Sequence, residues 1–181
     1  MKINANVKKE IWEWIETIAL ALALAFLVRT FIVAAFKIPT GSMRPTLLEG
    51  DKIFVNKFIY RFTLPHRGDV IVFKYPLEPK KDFVKRLIGF SDESVEIKDG
   101  KILINGKEVD EQKILSRRYY NRGPYGEEGQ KVKIPPNSFY ALGDNSANSR
   151  DSREWGFVPK KNLVGKAFVI WWPPKRIGLI K

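Results

Sequence analysis

The apolar residues divide the chain into an N-terminal apolar segment and a longer remainder with strand-like patterns. Residues 11–36 contain runs of Ala, Leu, Ile and Phe without strand-like alternation, which favours a helix. Trp12 and Trp14 lie at its start and Arg29 near its other end, as interfacial aromatic rings and a snorkelling cation do. Because about 20 mainly apolar residues span a bilayer, we predict a transmembrane anchor over residues 11–30.

Two other interpretations of this segment stay open. It could be a cleaved signal peptide, for which "IVAAF" (residues 32–36) offers a weak small-residue cleavage site. It could also be a buried core helix, although it is unusually apolar on all sides. Under the first prediction, the lysines in residues 1–10 place the N-terminus in the cytoplasm. We then expect a single-pass protein of the plasma membrane, with residues 31–181 on the extracytoplasmic side.

After residue 36 the pattern predicts strands separated by turns. Two stretches begin with Gly-Asp and continue with alternating apolar residues, and three others have strand-like composition: residues 50–58, 68–75, 82–90, 137–145 and 165–173. Residues 94–109 contain Asp99-Gly100 and Asn105-Gly106, which are strong hairpin signals, so a three-strand meander is predicted there. No long helical period follows. We therefore expect a mostly antiparallel β domain, with a small basic and aromatic excursion at about 105–135.

Composition then excludes several kinds of chemistry. The chain has no cysteine and one histidine, so a Cys nucleophile, a disulfide framework and a His- or Cys-based zinc site are excluded. A Ser-His mechanism would have to use His66, which lies in the turn-like stretch "LPHRGD" typical of a surface loop. We expect neither a metal nor a cofactor.

The net charge of +12 favours anionic partners. The basic residues are spread along the chain, without a basic helix or an aromatic-basic RNA motif. We therefore expect no nucleic-acid partner, and much of the basicity is expected to serve a bilayer surface.

One candidate for chemistry is Ser42 in "KIPTGSMRPTL". Gly41 permits unusual backbone angles, and Pro39 and Pro45 stiffen the two flanks. A Ser in this setting is either an ordinary turn residue or a presented nucleophile, which needs a base within hydrogen-bond reach.

The candidate base is Lys85. On a strand over residues 82–90, it shares a face with Phe83 and Leu87. An ammonium among apolar side chains has a lowered pKa and can serve as a general base near neutral pH. The alternative is a solvated strand lysine.

A third candidate is the polar stretch "GDNSANSRDSREWG" (residues 143–156). Counted from Asp144, a calcium-loop pattern fails, because Ser149 replaces the turn glycine and Trp155 replaces the final glutamate. The stretch is either a solvated loop or a rigid polar network that orients a base.

Taken together, these stretches resemble the sequence boxes of bacterial type I signal peptidases. The similarity runs from about residue 10 to 175, with five boxes in the family's order: "IPTGSMRPTL", "GDKIFVNK", "RGDVIVFKYP", "FVKRLIG" and "GDNSANSRDSREWG". The resemblance implies coiled, barrel-like antiparallel sheets behind one N-terminal transmembrane helix. It also implies a membrane-bound serine endopeptidase that removes signal peptides from exported preproteins after Ala-x-Ala type sites. Its partners would be these preproteins and the bilayer, and no oligomeric state is indicated.

The resemblance also assigns residues. It implies Ser42 as nucleophile, Lys85 as general base, and an oxyanion hole formed by the Ser42 N–H and the Thr40 hydroxyl. Ser149 would hydrogen-bond the lysine amine. The remaining assignments are a salt-bridged support of Asp151, Arg153 and Arg86, and apolar pocket residues Ile38, Leu47 and Val84.

Two rival functions remain to be weighed. A self-cleaving Ser-Lys protease of the SOS-repressor type would carry a DNA-binding domain where this chain has its apolar segment. A non-enzymatic, membrane-tethered module that binds anions would show steeply salt-dependent binding without hydrolysis.

Overall fold

The computed structural model describes residues 5–27 and 33–180. The first element is the helix α1 (Ala5–Leu27), so the predicted helical segment is confirmed as a helix up to residue 27. Residues 28–30 of the predicted anchor, with Arg29, lie outside the described residues. Within the described part of the chain, no helix is both long and apolar enough to cross a membrane. The prediction that the helix spans a bilayer is therefore not confirmed.

Among the described residues, twelve strands and two further short α-helices follow α1. The strands are β1 (Val33–Lys37), β2 (Lys52–Asn56), β3 (Val70–Lys74), β4 (Asp82–Gly89), β5 (Ser94–Lys98), β6 (Lys101–Ile104), β7 (Lys107–Glu108), β8 (Val132–Lys133), β9 (Ser138–Leu142), β10 (Val158–Pro159), β11 (Leu163–Trp172) and β12 (Gly178–Leu179). The helices are α2 (Gln112–Leu115) and α3 (Ser152–Trp155).

The strands form two sheets. An eight-stranded sheet has the order β1-β2-β11-β3-β4-β9-β10, with β12 paired to β11, and a four-stranded sheet has the order β7-β6-β5-β8. Every strand pair described is antiparallel. The prediction of a mostly antiparallel β fold is therefore confirmed.

The three-strand meander is also confirmed, as β5, β6 and β7. Its two tight turns lie at the predicted dipeptides, where Asp99 and Gly100 have φ of 53° and 81° and Asn105 and Gly106 have φ of 51° and 79°. Positive φ at both central residues matches the right-handed twist of the strands, and Asn, Asp and Gly adopt it most readily.

The sequence pattern missed β1. Its residues lie at the end of the long apolar run, yet they pair with β2 from Val33 opposite Asn56 to Lys37 opposite Lys52. A continuous apolar run carries no period that marks where a helix stops and a buried strand starts.

The core explains why β3 is apolar at successive positions. Val70 and Val72 pack into one cluster with Met43 and Leu47, whereas Ile71 and Phe73 pack into another on the opposite face. Both faces of β3 are thus covered, and for this reason its apolar residues do not alternate with polar ones. The first cluster also fixes the turn that contains Ser42, because Met43 and Leu47 are 1% and 0% exposed.

Candidate active site

Ser42 lies in a single turn of 3-10 helix, Gly41–Met43, that follows the buried residue Ile38. The turn is anchored from both sides, since Ile38 exchanges backbone hydrogen bonds with Gly50 and Asp51, and the Leu47 N–H donates to Met43 O at 2.9 Å. The Ser42 side chain is held between these anchors and is 9% exposed.

Lys85 lies on β4, opposite Ile71 of β3. Its Nζ donates to Ser42 Oγ at 2.7 Å and to Val84 O at 3.0 Å, and the residue is 4% exposed. Its ammonium also lies 5.4 Å from the centre of the Phe83 ring, the neighbour that strand alternation predicts. The structure therefore brings together the two side chains that the sequence singled out.

Burial lowers the pKa of Lys85 from 10.5 to about 8. Desolvation disfavours the ammonium and is the largest cause; the carboxylates of Asp151 and Asp144 oppose it, and the Arg153 guanidinium adds to it. The neutral amine, which can accept a proton, is therefore accessible near physiological pH.

A cavity of about 410 Å³ opens beside this pair. Its walls include predicted pocket residues Ile38 and Val84, together with Thr40, Ser42 and Lys85. Thr40 Oγ1 lies 3.4 Å from Ser42 Oγ, so both hydroxyls face the same space. The prediction that Leu47 is a pocket residue is wrong. Leu47 is fully buried in the core with Ile53 and Val55 and does not line the cavity.

Two fully buried ion pairs contain the charged groups that act on the pKa of Lys85. Arg86 donates from Nε and Nη2 to Asp144 at 2.7 and 2.6 Å, and Arg153 donates from Nε and Nη2 to Asp151 at 2.8 and 2.7 Å. The sequence grouped Arg86 with Asp151 and Arg153, whereas its carboxylate partner is Asp144. Bidentate pairing satisfies charges that would be very costly to bury alone.

The polar stretch after β9 is joined directly to the Ser42 turn. The Asn145 backbone N–H donates to Ser42 O at 3.0 Å, and Asn145 Nδ2 donates to Gly41 O at 3.0 Å. Asp151 Oδ2 accepts from the Gly143 N–H at 3.0 Å, which fixes the start of the stretch. Sequence analysis quoted Asn145 in its motif without giving it a role, because the contact joins segments far apart in the chain.

Gly143 is a second residue that the sequence analysis missed. A Cβ at this position would collide with Ser149 Oγ and Ser42 O. The close approach of the polar stretch to the Ser42 turn therefore requires glycine here.

Ser149 is 1% exposed, and its Oγ has no hydrogen-bond partner among the described residues. The expected hydrogen bond from its hydroxyl to the Lys85 amine is thus not formed. A buried hydroxyl without a partner is uncommon in folded proteins.

His66 lies away from this pair on the surface: its side chain is 79% exposed, with Nδ1 4.0 Å from Asp69. Within residues 5–27 and 33–180, no three His, Cys, Asp or Glu side chains group in a way that could hold a metal ion.

Comparison with known proteins assigns the chain to a family. The model of the family described as signal peptidase, peptidase S26, matches residues 11–172. A signal peptidase I of Leptolyngbya laminosa is 43% identical over 174 residues, covering 92% of this chain and 82% of that protein. A probable signal peptidase I-2 of Synechocystis is 40% identical over 176 residues, covering 92% of this chain and 77% of that protein.

A third relative matches almost end to end. Signal peptidase I P of Bacillus subtilis subsp. natto is 35% identical over 178 residues, covering 94% of each chain. The family match extends from α1 through β11 and includes both Ser42 and Lys85. The chain therefore belongs to the signal peptidase family of serine peptidases, peptidase S26.

Proposed function

We propose that this protein is a membrane-bound signal peptidase I that cleaves exported preproteins with Ser42 as nucleophile and Lys85 as general base. The observation that carries the proposal is the 2.7 Å contact between Lys85 Nζ and Ser42 Oγ, both buried at one side of an open cavity. A nucleophile and its base must lie within such hydrogen-bond reach.

In the first step, neutral Lys85 removes the proton from the Ser42 hydroxyl as Oγ attacks the carbonyl carbon of the scissile bond. The oxyanion forms beside the Ser42 N–H and the Thr40 hydroxyl, and loss of one such donor typically costs about 3 kcal/mol of transition-state stabilisation. The protonated lysine then donates to the leaving amine, which departs as the new N-terminus of the mature protein.

In the second step, neutral Lys85 activates a water that attacks the acyl-enzyme and restores the Ser42 hydroxyl. Proton transfer in both steps depends on the direction of the amine. The buried Ser149 hydroxyl has no hydrogen-bond partner among the described residues, so it is available to accept a hydrogen bond from this amine.

The substrate is proposed to bind as an extended strand between residues 38–42 and residues 82–85, which border the cavity. Ile38 and Val84 present apolar side chains there, next to the reacting hydroxyl. We propose that these apolar side chains select Ala at the cleavage position and two residues before it, which gives an Ala-x-Ala type of site.

Membrane attachment is proposed to occur through α1. Its large apolar side chains are solvent-exposed, including Leu20, Leu22, Leu24 and Phe26 at 61–72% exposure. An apolar surface of this extent is suited to lipid rather than water. We propose that the N-terminus lies in the cytoplasm and the β domain on the extracytoplasmic side, where Trp172, 47% exposed, can contact the interface.

The experiment is cleavage of a preprotein with an Ala-x-Ala site by the full chain in lipid vesicles. Wild type is expected to release the signal peptide, whereas Ser42→Ala and Lys85→Ala are expected to be inactive. Lys85→Arg is expected to be inactive as well, because a guanidinium does not lose its proton at these pH values. Processing at the wild-type rate by either alanine variant would refute the dyad.

A further inference from the structure

Arg117, in the segment between β7 and β8, contacts two residues close to the proposed dyad, Thr46 and Asp144. This side chain is 13% exposed, and its Nη2 donates to Thr46 Oγ1 at 2.7 Å. Its Nε lies 3.0 Å from Asp144 Oδ2, which is ion-pair distance, although the Nε–H is not aimed at a hydrogen-bond acceptor among the described residues. Its Nη1 donates to Lys113 O and, at 3.0 Å, to Ser116 Oγ. The guanidinium thus contacts its own segment on one side and Thr46 and Asp144 on the other.

Of these partners, Thr46 is linked to the proposed nucleophile Ser42, and Asp144 is linked to the proposed base Lys85. Thr46 follows Ser42 in the same anchored turn, and its hydroxyl also donates to Asp144. Asp144 accepts two hydrogen bonds from Arg86, the residue next to Lys85 on β4. One guanidinium therefore bridges the segment that carries the nucleophile and the ion pair beside the base.

The same segment is fastened at a second place. The Tyr120 N–H donates to Ser146 Oγ at 2.8 Å, and Arg153 Nη1 donates to Tyr120 O at 2.7 Å. The Tyr125 N–H donates to Arg153 O at 3.0 Å. These bonds join the segment to the other ion pair, that of Arg153 and Asp151.

We propose that Arg117 is a positioning residue that holds the Ser42 turn in register with Lys85, so that the segment between β7 and β8 acts as a brace for catalysis. This inference rests on the proposed function of the same site. Arg117 does not line the cavity, so it acts through Thr46 and Asp144 rather than on the substrate. Displacement of catalytic groups by about 1 Å can reduce turnover about a hundredfold, which sets the scale of the effect.

Arg117 is also expected to affect the pKa of Lys85. The carboxylates of Asp151 and Asp144 raise the pKa of Lys85, and the Arg153 guanidinium lowers it. Arg117 and Arg86 both lie against Asp144 and partly offset its charge. Without Arg117, Asp144 stabilises the Lys85 ammonium more strongly, so the base becomes neutral only at higher pH.

The test compares Arg117→Gln with Arg118→Gln in the full chain, using a signal-peptide substrate with an Ala-x-Ala site. Arg118 is the matched control, since it is an exposed arginine of the same segment that lies beside Gly100. Arg117→Gln is expected to lower kcat by about tenfold to a hundredfold with KM changed less than about twofold. The acid limb of its pH–rate profile is expected to move to higher pH. Arg118→Gln is expected to match wild type in kcat, in KM and in the position of the acid limb.

The inference is overturned if Arg117→Gln equals Arg118→Gln in both kcat and the position of the acid limb. If Arg117→Gln does not fold, Arg117→Lys decides, because it keeps the charge but cannot bridge both partners in the same geometry. It is expected to lower kcat by about tenfold with an unshifted acid limb, and wild-type kcat in this variant overturns the inference.

Failure of the brace and failure of the proposed function give different results. If wild type does not cleave the substrate, or Ser42→Ala cleaves it equally well, the proposed function fails. If cleavage depends on Ser42 and Lys85 but not on Arg117, only the brace fails.

Discussion

Lys85 Nζ lies 2.7 Å from Ser42 Oγ, although the two residues are 43 positions apart in the chain. The turn that carries Ser42 is fixed by Met43 and Leu47 in the core, and Lys85 is fixed by the pairing of β3 with β4. The contact is thus set by the packing of the β domain. The same packing desolvates the lysine, so one arrangement supplies both the proximity and the lowered pKa.

The first prediction concerns the pH dependence of cleavage. Only the neutral amine can act as the base, and the pKa of Lys85 is lowered to about 8. We expect log kcat/KM to rise with a slope of about one up to roughly pH 8 and then to level off. Steady-state kinetics with a peptide substrate measures this. A profile that is flat from pH 6 to pH 9 would contradict Lys85 as the base.

The second prediction concerns stability. The folded-state pKa of Lys85 is below its ordinary value of 10.5, so the folded protein binds fewer protons than the unfolded chain between about pH 8 and 10.5. Burial of this ammonium therefore costs stability below pH 8, and the cost disappears as pH rises through that window. Lys85→Met is expected to be inactive but more stable than wild type at pH 6, by up to about 3 kcal/mol. Urea unfolding at pH 6 and pH 10 measures the difference, which should shrink at pH 10.

The third prediction concerns Gly143. A methyl group there would collide with Ser149 Oγ and Ser42 O, so Gly143→Ala is expected to lower kcat by about a hundredfold. It is also expected to reduce the free energy of unfolding by about 1–3 kcal/mol. Gly178→Ala is the control, because a Cβ at Gly178 meets nothing within 4 Å. Equal behaviour of the two variants in kinetics and thermal unfolding would show that the close approach at Gly143 is unimportant.

The fourth prediction concerns the buried pair of Arg86 and Asp144. Asp144→Asn removes the charge that compensates a fully buried guanidinium, so we expect a loss of about 3–5 kcal/mol in the free energy of unfolding. Glu108→Gln is the matched control, since it breaks an exposed pair with Lys101 and should cost less than about 1 kcal/mol. Denaturant unfolding of both variants measures this. A loss below 1 kcal/mol for Asp144→Asn would contradict the structural role of the pair.

The sequence was most informative where local pattern and local motif coincide. The turns at Asp99-Gly100 and Asn105-Gly106 were predicted because positive φ selects these residues at each turn. Ser42 and Lys85 were found because each lies in a short motif within its own element. The roles drawn from these motifs stay predictions until they are measured.

The remaining features depend on partners that are distant in the chain. Asp144 is 58 positions from Arg86, and nothing local indicates that this carboxylate is the partner of that arginine. The family resemblance places Leu47 in the substrate pocket, but its place in the core follows from how the turn packs on β2. Strand β1 was not predicted, because it continues an apolar run that has no period to mark where the helix ends and the strand begins.

The most direct test of the central claim is mass spectrometry of the acyl-enzyme. The full chain is mixed near pH 8 with a peptide ester that ends in Ala-x-Ala, whose alkoxide leaving group makes acylation faster than with an amide, and the reaction is quenched with acid within the first turnover. The account predicts that the proteolytic fragment containing Ser42 gains the mass of the acyl group, and that Ser42→Ala gains none. An adduct on a different residue, or turnover of the ester by Ser42→Ala at the wild-type rate, would contradict it.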